Sequence, residues 1–477
     1  MSKYEANIVV IGAGSAGLVS AYIAAAVKAK VILIERHKMG GDCLNTGCVP
    51  SKALLRSAKI ANYMRRAEEF GIESVPVKPV FNKVMQRVQS IIEAIEPHDS
   101  IERYTELGVE CVTGEAEIID PHTVRVGDRD ITTKNIIIAA GARPFVPPIE
   151  GLDQITYLTS DNIWQLKEQP KRLVVLGGGP IGCELSQAFS KLGTEVTIVE
   201  MMDQLMGRED SDVAELITDN FENSGIKVLT NHKAIKVSNG RNKVLHCEAE
   251  NGTVEIPFDE ILVAVGRRAN SDGMGLEKLG ITLRRNGTIE TDDYLRTAIP
   301  NIFACGDITG PYQFTHTAAH QAWFAVVNAL FGFAKKFKVD YRVIPWATFT
   351  MPEVARVGLN ETDAKQKDIA YEVTRYGIDD LDRAIADGEA HGFVKVITPR
   401  GKDKILGVTI VGHHAGDLIA EYVLAMKYNL GLNKILGTIH LYPSLSESNK
   451  FVAGNWKREH QPHTLLKWVE KFHNWRR

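Results

Sequence analysis

Hydrophobic positions near the start of the chain fall in two short unbroken runs, Ile8 to Ile11 and Val31 to Ile34, on either side of a glycine cluster and an alanine-rich stretch. Short β-branched runs bounded by glycine predict strands, and the alanine-rich stretch between them predicts a helix. The same succession returns at Leu173 to Leu176 and Glu195 to Val199, again around a glycine cluster. Near the end the periodicity changes. Leu465, Trp468, Val469, Phe472 and Trp475 stand three, four and seven residues apart, and residues 456–477 hold six Lys or Arg against two Asp or Glu. That tail reads as a basic, aromatic, amphipathic helix. One run is deceptive: Ala6 to Val27 carries no charge and ends in three alanines, like a signal peptide or a membrane span. Glu5 spoils a basic leader, and Gly12, Gly14 and Gly17 interrupt the apolar core, so the run is expected to be strand, turn and helix.

A length of 477 residues points to roughly three domains. Hydrophobic residues at 44% and charged residues at 24% are ordinary for a folded protein and exclude disorder and collagen-like repeats. The net charge of -3 removes the basic footprint of a nucleic-acid binder, so no nucleic acid is expected as partner. Six cysteines are too few for a secreted disulfide scaffold, and four of them, Cys111, Cys183, Cys247 and Cys305, stand alone. The close pair Cys43 and Cys48 reads as redox or metal chemistry in a reducing compartment, and a cytoplasmic location is expected.

The glycine clusters carry the first chemistry. Gly12, Gly14 and Gly17 form G-x-G-x-x-G between strand and helix, and Glu35 ends the next strand 23 residues after Gly12. Gly177, Gly179 and Gly182 repeat the motif, with Glu200 again 23 residues after the first glycine. In this arrangement the first glycine permits a tight turn, the second admits a pyrophosphate to the backbone and the third allows close helix packing. Helix N-terminal amides face the phosphates, and the acid accepts from a ribose hydroxyl. One copy is weak evidence; two in matching register imply two dinucleotides, against the alternative of glycine-rich turns in an unrelated α/β protein.

The cysteine pair sits in Gly40-Gly41-Asp42-Cys43-Leu44-Asn45-Thr46-Gly47-Cys48-Val49-Pro50-Ser51-Lys52. In an ideal helix residues five apart rise by about 7.5 Å, too far for a disulfide, so the backbone is expected to be irregular there, with Gly47 supplying freedom. Pro50 suits a first helical turn, which places Cys48 near a helix N-terminus, where thiolate is favoured. Half of a zinc site and an inert buried pair remain alternatives; no second close Cys or His pair completes four ligands, and no metal site is expected.

This segment resembles the active-site motif of the class I pyridine nucleotide-disulfide oxidoreductases, which include lipoamide dehydrogenase, glutathione reductase and mercuric reductase, and matching segments run from about residue 5 to residue 450. The resemblance implies an α/β fold with two Rossmann-like dinucleotide-binding domains and a C-terminal α+β dimerisation domain. The expected limits are 1–148 and 267–338 for the FAD domain, 149–266 for the NAD(P) domain, 339–455 for the dimerisation domain and 456–477 for the tail. It implies that Cys43 is the interchange thiol, that Cys48 faces the flavin, and that Lys52 lies near the flavin and pairs with Glu184. FAD would be held by Gly12, Gly14, Gly17, Glu35, Gly41, Lys52, Ala116, Gly141, Asp307, Phe314, Thr315 and His316. NAD(P)H would be held by Gly177, Gly179, Gly182, Glu184, Glu200 and Gly266. Ile136 to Gly141 and Val263 to Arg267 resemble the two crossovers between these domains, and Gln313 to Ala318 opens a helix aimed at the flavin. Glu200 would accept from a free 2′-hydroxyl and repel a 2′-phosphate, so NADH is expected over NADPH, with nearby Arg208 pulling the other way.

The dimerisation-like region implies a homodimer. Where disulfide-reducing relatives carry a His-Pro motif followed by Glu, this chain has His440-Leu441-Tyr442-Pro443-Ser444-Leu445-Ser446-Glu447, with tyrosine at the histidine position. A phenol titrating near 10 is a poor proton acceptor at neutral pH. Glu447 stays in register, either orienting a base or serving the fold alone, and His440 is a candidate replacement base or a packed histidine. Mercuric reductase also has a tyrosine here but carries a C-terminal cysteine pair, whereas this chain has no cysteine after Cys305. The expectation is a mercuric reductase-like flavoenzyme passing electrons from NADH through FAD and the Cys43 and Cys48 pair to an unidentified small-molecule acceptor. Lipoamide dehydrogenase is the first alternative, and a redox sensor or membrane-docked electron carrier is the alternative of another class. The tail either lies peripherally on an anionic membrane surface or packs against the dimer.

Overall fold

The computed structural model describes residues 3–477, which divide into two compact units. The first comprises residues 3–67, 73–203 and 224–340, and holds the two glycine repeats on separate sheets whose central strands are parallel. In the first sheet Ala6–Ile11 lies between Val31–Glu35 and Arg129–Ile138, and Val109–Thr113 and Ile302–Ala304 extend the parallel pairing. In the second, Arg172–Leu176 lies between Glu195–Val199 and Glu260–Val263, with Lys227–Leu229 at one edge. Central strands buried on both faces explain the unbroken apolar runs: Ile8, Val9 and Val10 are fully buried, as is Val175. Two antiparallel crossover strands, Ala142–Pro144 and Arg267–Ala269, pair with one another between the sheets' sequence segments.

The uncharged run at Ala6 to Val27 is strand Ala6–Ile11, a turn, and helix Ser15–Ala26. Among the described residues no helix is long and apolar enough to cross a membrane.

The second unit comprises residues 68–72, 204–223 and 341–477, built on a five-stranded antiparallel sheet. Residues 204–223, inside the expected NAD(P) domain, belong here because charge ties them in. Lys395, 2% exposed, donates to Asp210 at 2.9 Å, Asp212 at 2.8 Å and Glu361 at 3.2 Å. Arg356 faces Glu209 at 3.4 Å and Asp363 at 3.2 Å, and stacks over Trp346. Buried charges of this kind persist only when paired.

One expectation is corrected. The tail is not a single helix over 456–477: Glu447–Glu459 ends before His460, and a separate helix runs His463–Arg476. Pro462 is the cause, since proline disfavours helical backbone in the residue before it. Trp456, counted in the tail, is a core residue at 5% exposure, whereas no residue of His463–Arg476 is buried.

Candidate functional site

Each glycine turn is shaped by close approach rather than by flexibility alone. Gly12 has φ of +100° and a Cβ there would meet the Ala139 carbonyl oxygen at 2.5 Å; Gly177 has φ of +103° and would meet the Ala264 carbonyl at 2.5 Å. A Cβ on Gly17 would fall 1.7 Å from the Gly12 carbonyl, and one on Gly182 2.0 Å from that of Gly177, so the third glycine seats the helix on the first. The acids are equivalent too. Glu35 accepts from the Ala13 and His37 amides at 2.6 and 2.8 Å, and Glu200 from the Gly178 and Met202 amides at 2.6 and 2.8 Å. Both carboxylates are therefore fixed over their turns, each with lone pairs left for a ribose hydroxyl. Gly179 has open space where a side chain would stand, as do Gly141 and Gly266, which immediately precede the two crossover strands.

The first turn opens toward the cysteine segment: a Cβ on Gly41 would lie 2.6 Å from the Gly14 Cα, so two main chains face each other with no side chain between them. Cys43 lies in a short helix, Gly41–Asn45, and Cys48 is the first residue of the helix Cys48–Arg65. The chain is irregular between them, as the spacing requires. Gly47 takes φ -117° and ψ -109°, and a Cβ on it would press 2.9 Å from the Asp42 carbonyl. Trp164 donates to the Thr46 carbonyl at 2.9 Å and fixes the loop from outside.

Both cysteines are free thiols, so the structure holds the reduced pair. The Cys48 thiol is lowered to about 6, first because Cys43 donates a hydrogen bond to it, then through the Thr315 hydroxyl at 3.5 Å and the Lys52 charge, against burial and Glu184. Its place at a helix N-terminus favours the same state. Cys43 is pushed far up, as the donor to that sulfur and by burial. One proton thus serves two sulfurs, held on Cys43. Cys43→Ala should raise the Cys48 thiol by about one unit, because it deletes the largest favourable contact; ultraviolet thiolate absorbance of the reduced protein against pH measures it, and an unmoved midpoint would show that the helix end alone sets the value.

Lys52 and Glu184 meet at 2.7 Å, joining the helices Cys48–Arg65 and Pro180–Leu192; Glu184 is buried and Lys52 half-buried. Thr315 begins the helix Thr315–Phe331, with the Phe314 ring stacked on His316 beside it, and Ala116 begins the strand Ala116–Asp120. Asp307 has its carboxyl pushed up to about 6 by burial, against the opposing pull of Arg267. Arg267 pairs with Asp42 and approaches Asp307 at 3.7 Å, while its Nε is buried without a hydrogen-bond partner. A main-chain cradle at Gly14 and Gly41, a fixed acid at Glu35 and an underused buried guanidinium beside Asp307 fit a flavin dinucleotide. Arg267 and Trp164 were not singled out from the sequence as site residues. An arginine opening a crossover strand directly after Gly266 was the signal for the first; the Trp164 contact spans 118 residues and left none.

Tyr442 and Glu447 belong to the second unit, the cysteines, Lys52 and Glu184 to the first. The Tyr442 hydroxyl donates to Asp382 at 3.0 Å, which raises its pKa further above the ordinary phenol value. Glu447 is buried and accepts from the Ser444 amide at 3.3 Å, closing the turn after Pro443. His440 has both ring nitrogens facing acceptors, Nε2 the Glu421 carboxylate at 2.9 Å and Nδ1 the Thr438 carbonyl at 3.1 Å. Arg208 lies in the 204–223 segment of the second unit, where its carbonyl accepts from Asn360.

The sequence profile of the pyridine nucleotide-disulphide oxidoreductases matches residues 6–322, and that of their dimerisation domain matches residues 344–452. A dihydrolipoyl dehydrogenase of Chlamydia muridarum is 36% identical over 92% of this chain and 94% of its own. A mercuric reductase of Staphylococcus aureus is 34% identical over 94% of this chain and 82% of its own. Among solved structures, the HOCl-induced flavoprotein disulfide reductase RclA of Escherichia coli, as a Cu(II) complex, superposes with a TM-score of 0.84 at 27% identity, covering 95% of this chain and 99% of that one. Profiles that together span nearly the whole chain, and relatives this similar along more than nine tenths of it, agree with the placement of the thiol pair against the first glycine turn: the chain belongs to the class I pyridine nucleotide-disulfide oxidoreductases, a family of FAD-dependent enzymes that use NAD(P)H.

Proposed function

We propose that this chain is an NADH-dependent oxidoreductase whose Cys43 and Cys48 cycle between disulfide and dithiol and deliver two electrons to a small-molecule acceptor, in the manner of its mercuric reductase relatives. FAD, bound by the first glycine turn, Glu35, Gly41 and Asp307, supplies the two-electron relay between nicotinamide and sulfur. The observation that carries the reading is geometric: the pair stands against the first glycine turn, with Cys48 opening its helix 3.5 Å from the Thr315 hydroxyl and beside Lys52, an arrangement that favours thiolate on Cys48 and the proton on Cys43. Oxidation of that pair gives a disulfide, two electrons and one proton. Cys43 becomes the attacking sulfur when its proton passes to Cys48, so no outside base is needed for an acceptor that does not itself demand a proton. Lys52, held by Glu184, puts a positive charge beside Cys48. A soft metal ion or its complex is such an acceptor, and Tyr442, bonded to Asp382, favours it over a disulfide.

Dihydrolipoamide oxidation is the second reading, supported by relatives of that name at 36% identity. An acceptor screen with metal ions, disulfides and quinones, followed by NADH loss, tests the proposal. Turnover with a metal or quinone and little with disulfides supports it; stoichiometric reduction without turnover on any acceptor overturns it. The reading takes the enzyme as a cytoplasmic homodimer, the compartment supported by only six cysteines in 477 residues and the pairing by the dimerisation domain. The tail stands outside this chemistry.

Glu200 is the support for NADH. Glu200→Arg should cut the kcat/KM preference for NADH over NADPH by at least about tenfold. The ratio is the readout, because losing the carboxylate also frees the Gly178 amide and raises KM for both nucleotides. Equal use of both by the native enzyme would remove Glu200 as the residue that reads the ribose.

A further inference from the structure

The helix His463–Arg476 has 14 residues and buries none of them. Its apolar side chains are nonetheless ordered: at 100° per residue, Leu465, Trp468, Val469, Phe472 and Trp475 fall within an arc of about 120°. Trp475 is 81% exposed, Trp468 67% and Leu465 57%. A helix of this length with nothing packed on it is marginal in water, and Pro462 gives its N-terminus no side-chain cap. Its base is fixed all the same. His460 stacks on the buried Trp456 and pairs with Glu372 at 2.9 Å, so the helix springs from a rigid point just past Val452, where the family's dimerisation profile ends. The stripe therefore lies beyond the matched profile and, among the described residues, nothing buries it.

Charge selects the partner. Residues 456–477 are net +4, leaving 50 basic and 57 acidic residues, net -7, in residues 1–455. Lys467 and Lys471 lie toward the Trp side of the arc; Arg476 projects from within the arc at the last helical position, where its stem can reach out past the helix end, and Arg477 follows the helix. Indole and phenyl rings seat at the headgroup level of a bilayer, and lysine stems reach from the apolar layer to the phosphates. A protein groove would need carboxylates matched to each cation in register, whereas an anionic bilayer supplies an apolar layer beneath a negative one at every point. We propose that His463–Arg476 is an in-plane anchor for an anionic membrane surface, with Leu465, Trp468, Val469, Phe472 and Trp475 toward the acyl chains and Lys467, Lys471, Arg476 and Arg477 at the phosphates. An acidic enzyme that the surface otherwise repels is then concentrated there. This holds whichever acceptor the thiols reduce.

The test uses the full-length holoenzyme with vesicles of phosphatidylcholine, with and without phosphatidylglycerol, in a sedimentation assay. Binding is expected to the anionic vesicles alone and to fall as salt rises. The double variant Lys467→Glu/Lys471→Glu should bind at least about tenfold more weakly, and Trp468→Ser/Trp475→Ser should lose binding with its charge unchanged. Neither touches the redox site, so NADH oxidation without vesicles should match the native rate. Equal binding to neutral vesicles, or none to anionic ones, overturns the proposal. So does a tryptophan variant that changes the oligomeric state instead of vesicle binding, which would assign the stripe to a second copy of the chain.

Discussion

Cys43→Ser is expected to abolish electron transfer to every acceptor, by at least about 10³-fold in kcat/KM, while NADH still reduces the holoenzyme. The asymmetry follows from where the proton sits. Cys48 opens the helix Cys48–Arg65, where the charge is favoured; Cys43 is favoured to hold the proton and, on the proposed function, is the sulfur that meets an acceptor. A serine hydroxyl at 43 still donates to Cys48, so the thiolate survives the substitution, and with it the long-wavelength absorbance of a thiolate against oxidised flavin. Cys48→Ser should remove that absorbance. In native enzyme reduced by two electrons the band should fade as pH falls below about 6, because the lowered Cys48 thiol takes up its proton there. A band that persists in Cys48→Ser would reverse the assignment of the two sulfurs.

What the sequence disclosed and what it hid divide by distance along the chain. The glycine turns were readable because strand, turn, helix and acid lie within 23 residues, and that local pattern is the same one the folded turns show in Gly12, Gly17 and Glu35 and again in Gly177, Gly182 and Glu200. The irregular step between the cysteines was readable for the same reason: five residues, a glycine and a helix start fix it. Contacts across the fold leave no such trace. Arg267 meets Asp42 from 225 residues away, and Lys395 reaches Asp210 from 185, so neither the guanidinium beside Asp307 nor the grouping of residues 204–223 with the second unit had a periodic signal. The tail is a different failure. Pro462 was in plain view, but the spacing of Leu465 to Trp475 was extended backwards through it to a tryptophan that packs in the core. His440 shows the limit of residue type as a guide: histidine is suited to proton exchange, yet Glu421 and Thr438 occupy both of its nitrogens.

Tyr442→His should raise dihydrolipoamide oxidation by at least about tenfold, or about 1.4 kcal/mol of barrier. Oxidising a dithiol requires a proton to be taken from an incoming thiol, a step for which a positioned general base contributes about 10² to 10⁴ in rate. Tyr442 is poorly placed for it, since its hydroxyl is spent on Asp382 and its pKa is driven up by that bond. An imidazole on the same turn titrates near the working pH, and the turn itself would keep its shape, because Glu447 holds it through the Ser444 amide and not through the side chain at 442. Reduction of the holoenzyme by NADH should stay unchanged, as the residues proposed for that half-reaction, Glu200, Lys52 and Glu184, do not include position 442. Stopped-flow measurement of the two half-reactions separates these outcomes. Fast dihydrolipoamide oxidation by the native enzyme, with no gain in Tyr442→His, would mean that a different group takes the proton, and the preference for a metal-type acceptor would lose the residue that supports it.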